Sequence, residues 1–364
     1  MKTNKIFSFL LLGAVLVIAN FSSCKKEEEE PKTNIVPSSF VVDVPSAINS
    51  PNATGSKATE SDTLNGNVIY GNLRTFIHVG CAAANVVNTI IYSIYVHNIN
   101  QAMTFDYVSN TDQRTKHVEV IEGASLNGMY YSFKMTITDA GAKAVQVFWN
   151  TNPVKGVAIL SPYDINRTLS NVFASTRYMV EYSEAENAYE KQMVVSIANY
   201  PTSIQGTTNA INNLKMFAGK NGNLITLWGN SNHPAATIID PSQVGKDYAF
   251  IAHADAALNT GCAQVAITPT DVNSTSNIFS TYSVYNVLNS AINTVYPGIP
   301  QNQINSYLSN TSAPAYFVAP QGFVSCGTNV PASPSGAFPA SFVNLSGLTP
   351  YIPNDVKNLS ISFQ

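Results

Sequence analysis

Residues 131–160 read YSFKMTITDAGAKAVQVFWNTNPVKGVAIL, and this stretch decides the fold class. Tyr131, Phe133, Met135 and Ile137 alternate with Ser132, Lys134, Thr136 and Thr138, the period-two pattern of a strand with one buried face. The turn Asp139-Ala140-Gly141-Ala142 leads into Val145–Trp149, and Asn150–Pro153 leads into Val157–Leu160. Turns this short join only antiparallel neighbours, because parallel pairs need a long crossover.

The pattern repeats toward the C-terminus. Tyr178–Tyr182 and Gln192–Ala198 form one pair, Leu214–Ala218 and Leu224–Trp228 another, and Asp247–Ala254 with Gln264–Thr268 a third. Between Ala218 and Leu224, Asn221-Gly222 is the strongest hairpin signal of the chain. About nine successive strands predict a β-rich α+β fold, an antiparallel meander forming a curved sheet or partial barrel with packed helices. The helices are expected near 71–98 and 282–309. Within the second region Val284, Val287, Leu288, Ala291 and Val295 share one face of Tyr282–Tyr296, and Gln301–Ser309 follows as a shorter helix. Ala313–Pro353 is rich in Pro, Gly and Ser, and a last strand is expected at Leu359–Phe363.

Toward the N-terminus, Gly71–Asn98 carries no charge after Arg74, and Ile77, Ala84, Val87, Ile91 and Ile94 recur at helical spacing. A membrane span would place His78, Asn85, Asn88 and His97 in hydrocarbon at high cost. The segment therefore reads as a core helix, or a helix pair broken near Gly80. Pro31–Asp62 has linker composition, interrupted by an edge-strand candidate at Ser39–Val44.

The 364 residues are 45% hydrophobic and 11% charged with a net charge of −3, enough apolar mass for a large core. Scattered basic residues exclude a nucleic-acid partner, which requires clustered Lys and Arg. Lys2 and Lys5 precede an apolar run, Ile6–Ala19, and small Ser22 and Ser23 precede Cys24. That order describes a signal peptide over residues 1–23.

Ser22-Ser23-Cys24 resembles a bacterial lipobox, with Phe21 where Leu is usual. The run Lys25, Lys26, Glu27, Glu28, Glu29 and Glu30 resembles the export signal of surface-exposed lipoproteins of Bacteroidota-type Gram-negative bacteria. The resemblance covers about the first 30 residues. It implies a lipidated Cys24, attachment to the outer membrane through its acyl chains, and a domain at the cell surface, with the periplasmic face as the alternative. Residues 24–62 would then be a charged tether and linker, and 63–364 one β-rich globular domain. Asp62-Thr63-Leu64 resembles the O-glycosylation acceptor of the same bacterial group, which would modify Thr63.

With Cys24 lipidated, Cys81, Cys262 and Cys326 remain. Export permits a disulfide. Cys262 and Cys326 are the candidate pair, a loop closure contributing about 4 kcal/mol; two free buried thiols are the alternative. Cys81 reads as a small buried residue.

Catalytic motifs are missing: there is no His-Glu-x-x-His, no phosphate-cradling Gly-rich loop with Lys, and no Gly-x-Ser-x-Gly. No catalytic residue, metal ligand or cofactor is assigned. His253 and Asp255 fall on one side of a strand and could form a metal or proton-transfer pair, or an ordinary strand face. The 18 Tyr, 17 Phe and 2 Trp belong first to the core. A curved sheet with helices against its concave face looks like the architecture of lipoprotein carriers that hold acyl chains. The leading expectation is non-catalytic binding of a hydrophobic ligand or a surface protein, with an apolar cavity around Ala84, Val87, Ile91 and Ile94. A glycan or peptide hydrolase and a structural or adhesive surface protein are the alternatives.

Overall fold

A computed structural model describes residues 39–50, 66–95, 99, 101–332, 334 and 336–364. Thirteen strands follow one another in one antiparallel sheet whose spatial order is the order of the chain. They are β1 (Met103–Val108), β2 (Thr115–Leu126), β3 (Met129–Asp139), β4 (Ala142–Thr151), β5 (Val154–Leu160), β6 (Arg177–Glu186), β7 (Tyr189–Ala198), β8 (Asn213–Asn221), β9 (Leu224–His233), β10 (Lys246–Asp255), β11 (Thr260–Thr268), β12 (Ala315–Val318) and β13 (Gly322–Cys326). β1 and β13 do not pair, so the sheet is open.

The nine strands of the expected meander are present, joined as the turn chemistry required. Asp139 pairs with Ala142 across Ala140 and Gly141, whose φ angles of 49° and 84° match the twist of the flanking strands. At the next tight hairpin Asn221 pairs with Leu224, so the turn residues are Gly222 and Asn223, with Gly222 at φ 57°. The Asn-Gly signal located this hairpin one residue early. Four strands, β1, β2, β12 and β13, were not expected.

α1 (Gly66–Tyr95) is one unbroken helix of 30 residues. Gly80 does not break it. A Cβ there would stand 2.8 Å from Met216 Cε and 3.1 Å from Leu214 Cδ2, so glycine marks the close approach of α1 to β8. One continuous core joins Ile69, Leu73, Ile77, Ala84, Val87 and Ile91 of α1 to the inner face of the sheet, from Val118 on β2 to Phe317 on β12. Fully burying one such side chain stabilises by about 1.5–3 kcal/mol, which is how a helix so rich in β-branched residues is held.

Three polar side chains of α1 are paired inside the protein. Arg74 donates to the carbonyls of Ala47 and Ser46 at 2.8 and 3.1 Å, Asn88 Oδ1 accepts from Phe40 N at 2.8 Å, and His78 meets Asn49 Oδ1 at 3.1 Å. The helix is long and apolar enough to cross a membrane by composition alone. These bonds and the continuous core make it the filling of the sheet. His97 lies outside the described residues.

Ser39–Val44 is extended but pairs with no strand. Phe40 is buried and stacks on Tyr182 at 5.3 Å, occupying the space above Gly156, where a Cβ would come within 2.3 Å of its ring. Leu359–Phe363 likewise joins no ladder; Ile361 and Phe363 lie over Leu126, Tyr131, Phe148 and Val157 on the outer face. The remaining helices are short: α2 (Pro162–Ile165), α3 (Ile278–Thr281), α4 (Val284–Val295), α5 (Gln301–Tyr307), α6 (Ala340–Val343) and α7 (Pro353–Lys357). Ser283 caps α4 by accepting from Asn286 N, and Val284, Leu288 and Ile292 bury its one apolar face.

Candidate functional site

Asn72, Thr75, Phe76 and Val79 recur at helical spacing on α1 and form one wall of a crevice. The opposite wall is the loop between β7 and β8, with Tyr200, Ile204, Gln205, Asn209 and Ile211; the space between is about 60 Å³. Gln205 braces this loop. Its side chain donates to the carbonyls of Pro201 and Ile211 at 3.1 and 2.7 Å and accepts from Ile211 N at 2.9 Å.

Behind the crevice stands an aromatic cluster. The Phe76 ring lies 4.4 Å from His233 and 5.2 Å from Tyr248. His233 Nδ1 meets the carbonyl of Asn209 at 2.8 Å and Nε2 meets Ser231 Oγ at 2.7 Å. A carbonyl can only accept, so Nδ1 carries the proton and Nε2 accepts from the serine. Burial pushes the imidazole down to about 4, against the pull of the Asn209 carbonyl, and His233 is neutral at pH 7. The Asn72 amide meets the Tyr248 hydroxyl behind the crevice, and Asn209 Oδ1 is buried without a hydrogen-bond partner. Asn209 lines the crevice. An unmet buried donor or acceptor costs about 1–3 kcal/mol, so such groups at the wall of a cavity define a polar address in an otherwise apolar setting.

A second, wider cleft of about 570 Å³ lies on the outer face between Lys215 and residues 349–360. Lys215 Nζ stands 4.5 Å from the centre of the Tyr351 ring. Directly across the ladder from Lys215, Asn230 is fully buried with both amide atoms unpartnered. α7 packs over these strands, and Asn213 Nδ2 holds it by donating to the carbonyls of Val356 and Lys357 at 3.1 and 2.8 Å. Asn232 donates to Asp247 Oδ1 at 2.6 Å, while burial raises the Asp247 carboxyl to about 7.

Charges gather at the end of β2 and β3. Lys116, fully buried, reaches Asp112 at 2.7 Å and Asp139 at 3.3 Å. Arg114 and Arg167 also contact Asp139, and Arg167 contacts Asp164 at 2.7 Å. Burial alone would raise the Asp139 carboxyl; the Arg114 hydrogen bond and the Lys116 charge outweigh it and hold it below the usual range. Carboxylates engaged in this way have structural work and no free acid or base.

The sites expected from sequence separate. His253 Nδ1 is 2.8 Å from the carbonyl of Phe342, whereas Asp255 accepts from the backbone of Ala257 and Leu258 and shapes the turn after β10. The two do not converge on a common point. Cys262 and Cys326 are free, buried thiols and not a disulfide. Cys262 sits opposite Tyr316 and Cys326 opposite Ala315, so they occupy opposite faces two strands apart; their sulfurs donate to the carbonyls of Phe342 and Ser309. Cys81 is buried and free, as its surroundings suggested. Cys24, Lys25–Glu30 and Thr63 lie outside the described residues. Among the described residues no three His, Cys, Asp or Glu side chains gather as around a metal ion.

Sequence reasoning missed Asn72, Asn209, His233 and Tyr248. The available signal was Asn230-Ser231-Asn232-His233, four polar residues continuing a strand that hydrophobicity alone ended at Trp228. No family model matches the chain, and no curated protein or solved structure matches it either.

Proposed function

We propose that this chain is an exported envelope protein, held to the outer membrane through acylated Cys24, whose domain faces the cell surface and works by binding an apolar molecule or a protein partner. Anchoring rests on the order of apolar leader, Ser22-Ser23-Cys24 and charged block. One acyl chain binds a membrane only marginally, whereas several make the attachment effectively permanent. The charged run stays in water and leads into the linker that spaces the domain from the bilayer.

The observation that carries the binding role is the crevice between α1 and the β7–β8 loop, apolar at Phe76, Val79, Ile204 and Ile211 and polar at Asn72 and Asn209. A helix filling the inner face supports a rigid scaffold with sites at its margins, and Val87 and Ile91 belong to that filling. The neutralised carboxylates around Lys116 weigh against their use in hydrolysis.

Cys24→Ala is expected to abolish labelling by a fatty-acid probe and to move the protein from the membrane to the soluble fraction. Unchanged labelling would overturn the anchoring. Replacing Glu27–Glu30 with Ala is expected to leave labelling intact and to reduce shaving by external protease on whole cells.

A further inference from the structure

Residues 359–364, Leu-Ser-Ile-Ser-Phe-Gln, lie on the outer face of the sheet as an extended segment that joins no ladder. Its side chains alternate. Ile361 and Phe363 are half-buried against Leu126, Tyr131, Phe148, Val157 and Ile159, whereas Ser360, Ser362 and Gln364 are exposed. Among the described residues no main-chain hydrogen bond joins Ser360–Phe363 to the sheet.

The surface beneath is built to receive it. Gln146 of β4 is polar and fully buried, and residue 364 meets both ends of its amide. Gln146 Nε2 donates to the Gln364 main-chain oxygen at 2.8 Å, and Oε1 accepts from Gln364 N at 2.7 Å. Lys143 Nζ donates to the same oxygen. This clamp reads the main chain and is blind to the side chain it holds. One residue earlier, the Arg177 guanidinium lies 5.5 Å from the centre of the Phe363 ring, and Nη1 is fixed by donating to the carbonyls of Ala174 and Thr176 at 2.9 and 2.7 Å. A cation held over that position favours an aromatic ring. Alternate side chains in apolar contact, with a main-chain clamp beside them, are the marks of a bound extended peptide.

We infer that this outer-face groove is a docking site for an extended segment of a partner protein with the pattern apolar-x-aromatic-x, and that residues 359–364 occupy it in cis. The chemistry of the occupant is that of the segment seated there: an aliphatic side chain, an aromatic one two residues on against Arg177, and a main-chain amide for Gln146. The inference rests on the binding role proposed above and gives it a class of protein partner. Its failure leaves the crevice and the anchoring standing, because its test uses the full chain carrying Cys24→Ala and alters no residue of the crevice.

The receiver is that chain with Ile361→Ser and Phe363→Ser, which releases the segment in cis, and the probe is a fluorescein-labelled peptide of residues 358–364 followed by anisotropy. Saturable binding is expected, weaker by about tenfold or more when the receiver keeps Ile361 and Phe363, because the tethered copy then competes at an effective concentration of about millimolar. A probe carrying Phe363→Ser should bind at least about tenfold more weakly, having lost a buried aromatic side chain. Gln146→Leu in the receiver should weaken the unaltered probe by about tenfold through loss of the main-chain clamp. A probe carrying Ile361→Val and Phe363→Tyr keeps the pattern and should bind within about tenfold of the unaltered one. If the doubly substituted receiver melts below the assay temperature, Phe363→Ala alone frees the aromatic position and takes its place. Absence of saturable binding, or equal binding of the unaltered and Phe363→Ser probes, would overturn the inference. Binding confined to the chain's own sequence, or a parent chain that dimerises through this segment in light scattering, would overturn the partner reading and leave an internal strap or an exchange arm between two copies.

Discussion

Strands β2 and β10 belong to one sheet, yet they are buried in different ways. Along β2 the inward Lys116, Val118 and Val120 are buried and the outward His117 and Glu119 are exposed, an ordinary one-sided strand. Along β10 the inward Tyr248, Phe250, Ala252 and Ala254 are buried, and so are the outward Asp247, Ala249 and Ile251. The second layer over β10 comes from the C-terminal part of the chain, where Phe342 and Leu345 pack on Ile251 and Cys262. The first half of β2 thus has solvent for its outer layer and β10 has protein, while Ile361 and Phe363 cover only the far part of the first strands, over Leu126, Tyr131, Phe148 and Val157. The difference explains why an alternating pattern describes β2 and β3 while β10 reads as a nearly continuous apolar run.

The sharpest way to break the comparison is at the one-sided end, where charges rather than an outer layer close the structure. Lys116→Ala leaves Asp112 and Asp139 without their buried partner and should cost about 3–5 kcal/mol in urea unfolding. Next come paired outer-face substitutions. Ile251→Ala on β10 should cost about 2–5 kcal/mol because it empties a packed layer, whereas Glu119→Ala on β2 should change stability by no more than about 0.5 kcal/mol. Equal effects at the two positions would mean that the C-terminal layer does not stabilise the sheet.

pH dependence sharpens the contrast between the two faces of the doubly covered region. On the outer face Asp247 has its carboxyl raised to about 7 by burial, partly offset by Asn232 and Lys357. The folded state therefore holds a proton that the unfolded state releases near its ordinary value of about 3.9, and this contribution to stability fades as pH rises from about 4 to about 7. On the inner face His233, lowered to about 4, stays neutral while the unfolded state takes up a proton below about 6.5. Its contribution grows as pH rises through the same range. The two slopes oppose each other. Asp247→Asn should unmask stability that rises with pH, and His233→Gln stability that falls, in melting curves recorded from pH 4 to 7. The smallest expected effect concerns the thiols: reductant should leave the melting temperature unchanged, since Cys262 and Cys326 are not bonded.

Much of the fold was legible because antiparallel strands joined by tight turns are local objects. Tyr131–Thr138 announces its own pairing, and Ala140-Gly141 its own turn. β12 and β13 were hidden by their length, four and five residues inside a Pro/Gly/Ser-rich tail, and by pairing with β11 across helices α3, α4 and α5. The break expected at Gly80 followed from propensity; the close approach of Met216 from a strand 136 positions away reversed it, by the difference between residues 216 and 80. His253 and Asp255 were read correctly as one side of a strand, but each was taken by a different backbone neighbour.

What the sequence determined by itself was the β-rich class and the run of antiparallel strands, since hydrophobic period and turn residues act over a few positions. Tertiary structure decided what local pattern cannot encode: that α1 fills the inner face, that the C-terminal segment covers the outer face of β8–β11, and that Asn72 and Asn209 line one crevice. The physical reason is that burial and hydrogen-bond satisfaction are properties of neighbours distant in the chain. An asparagine is unremarkable in sequence, and only the fold decides whether its amide ties down a distant segment, as Asn213 holds α7, or lines a crevice, as Asn209 does.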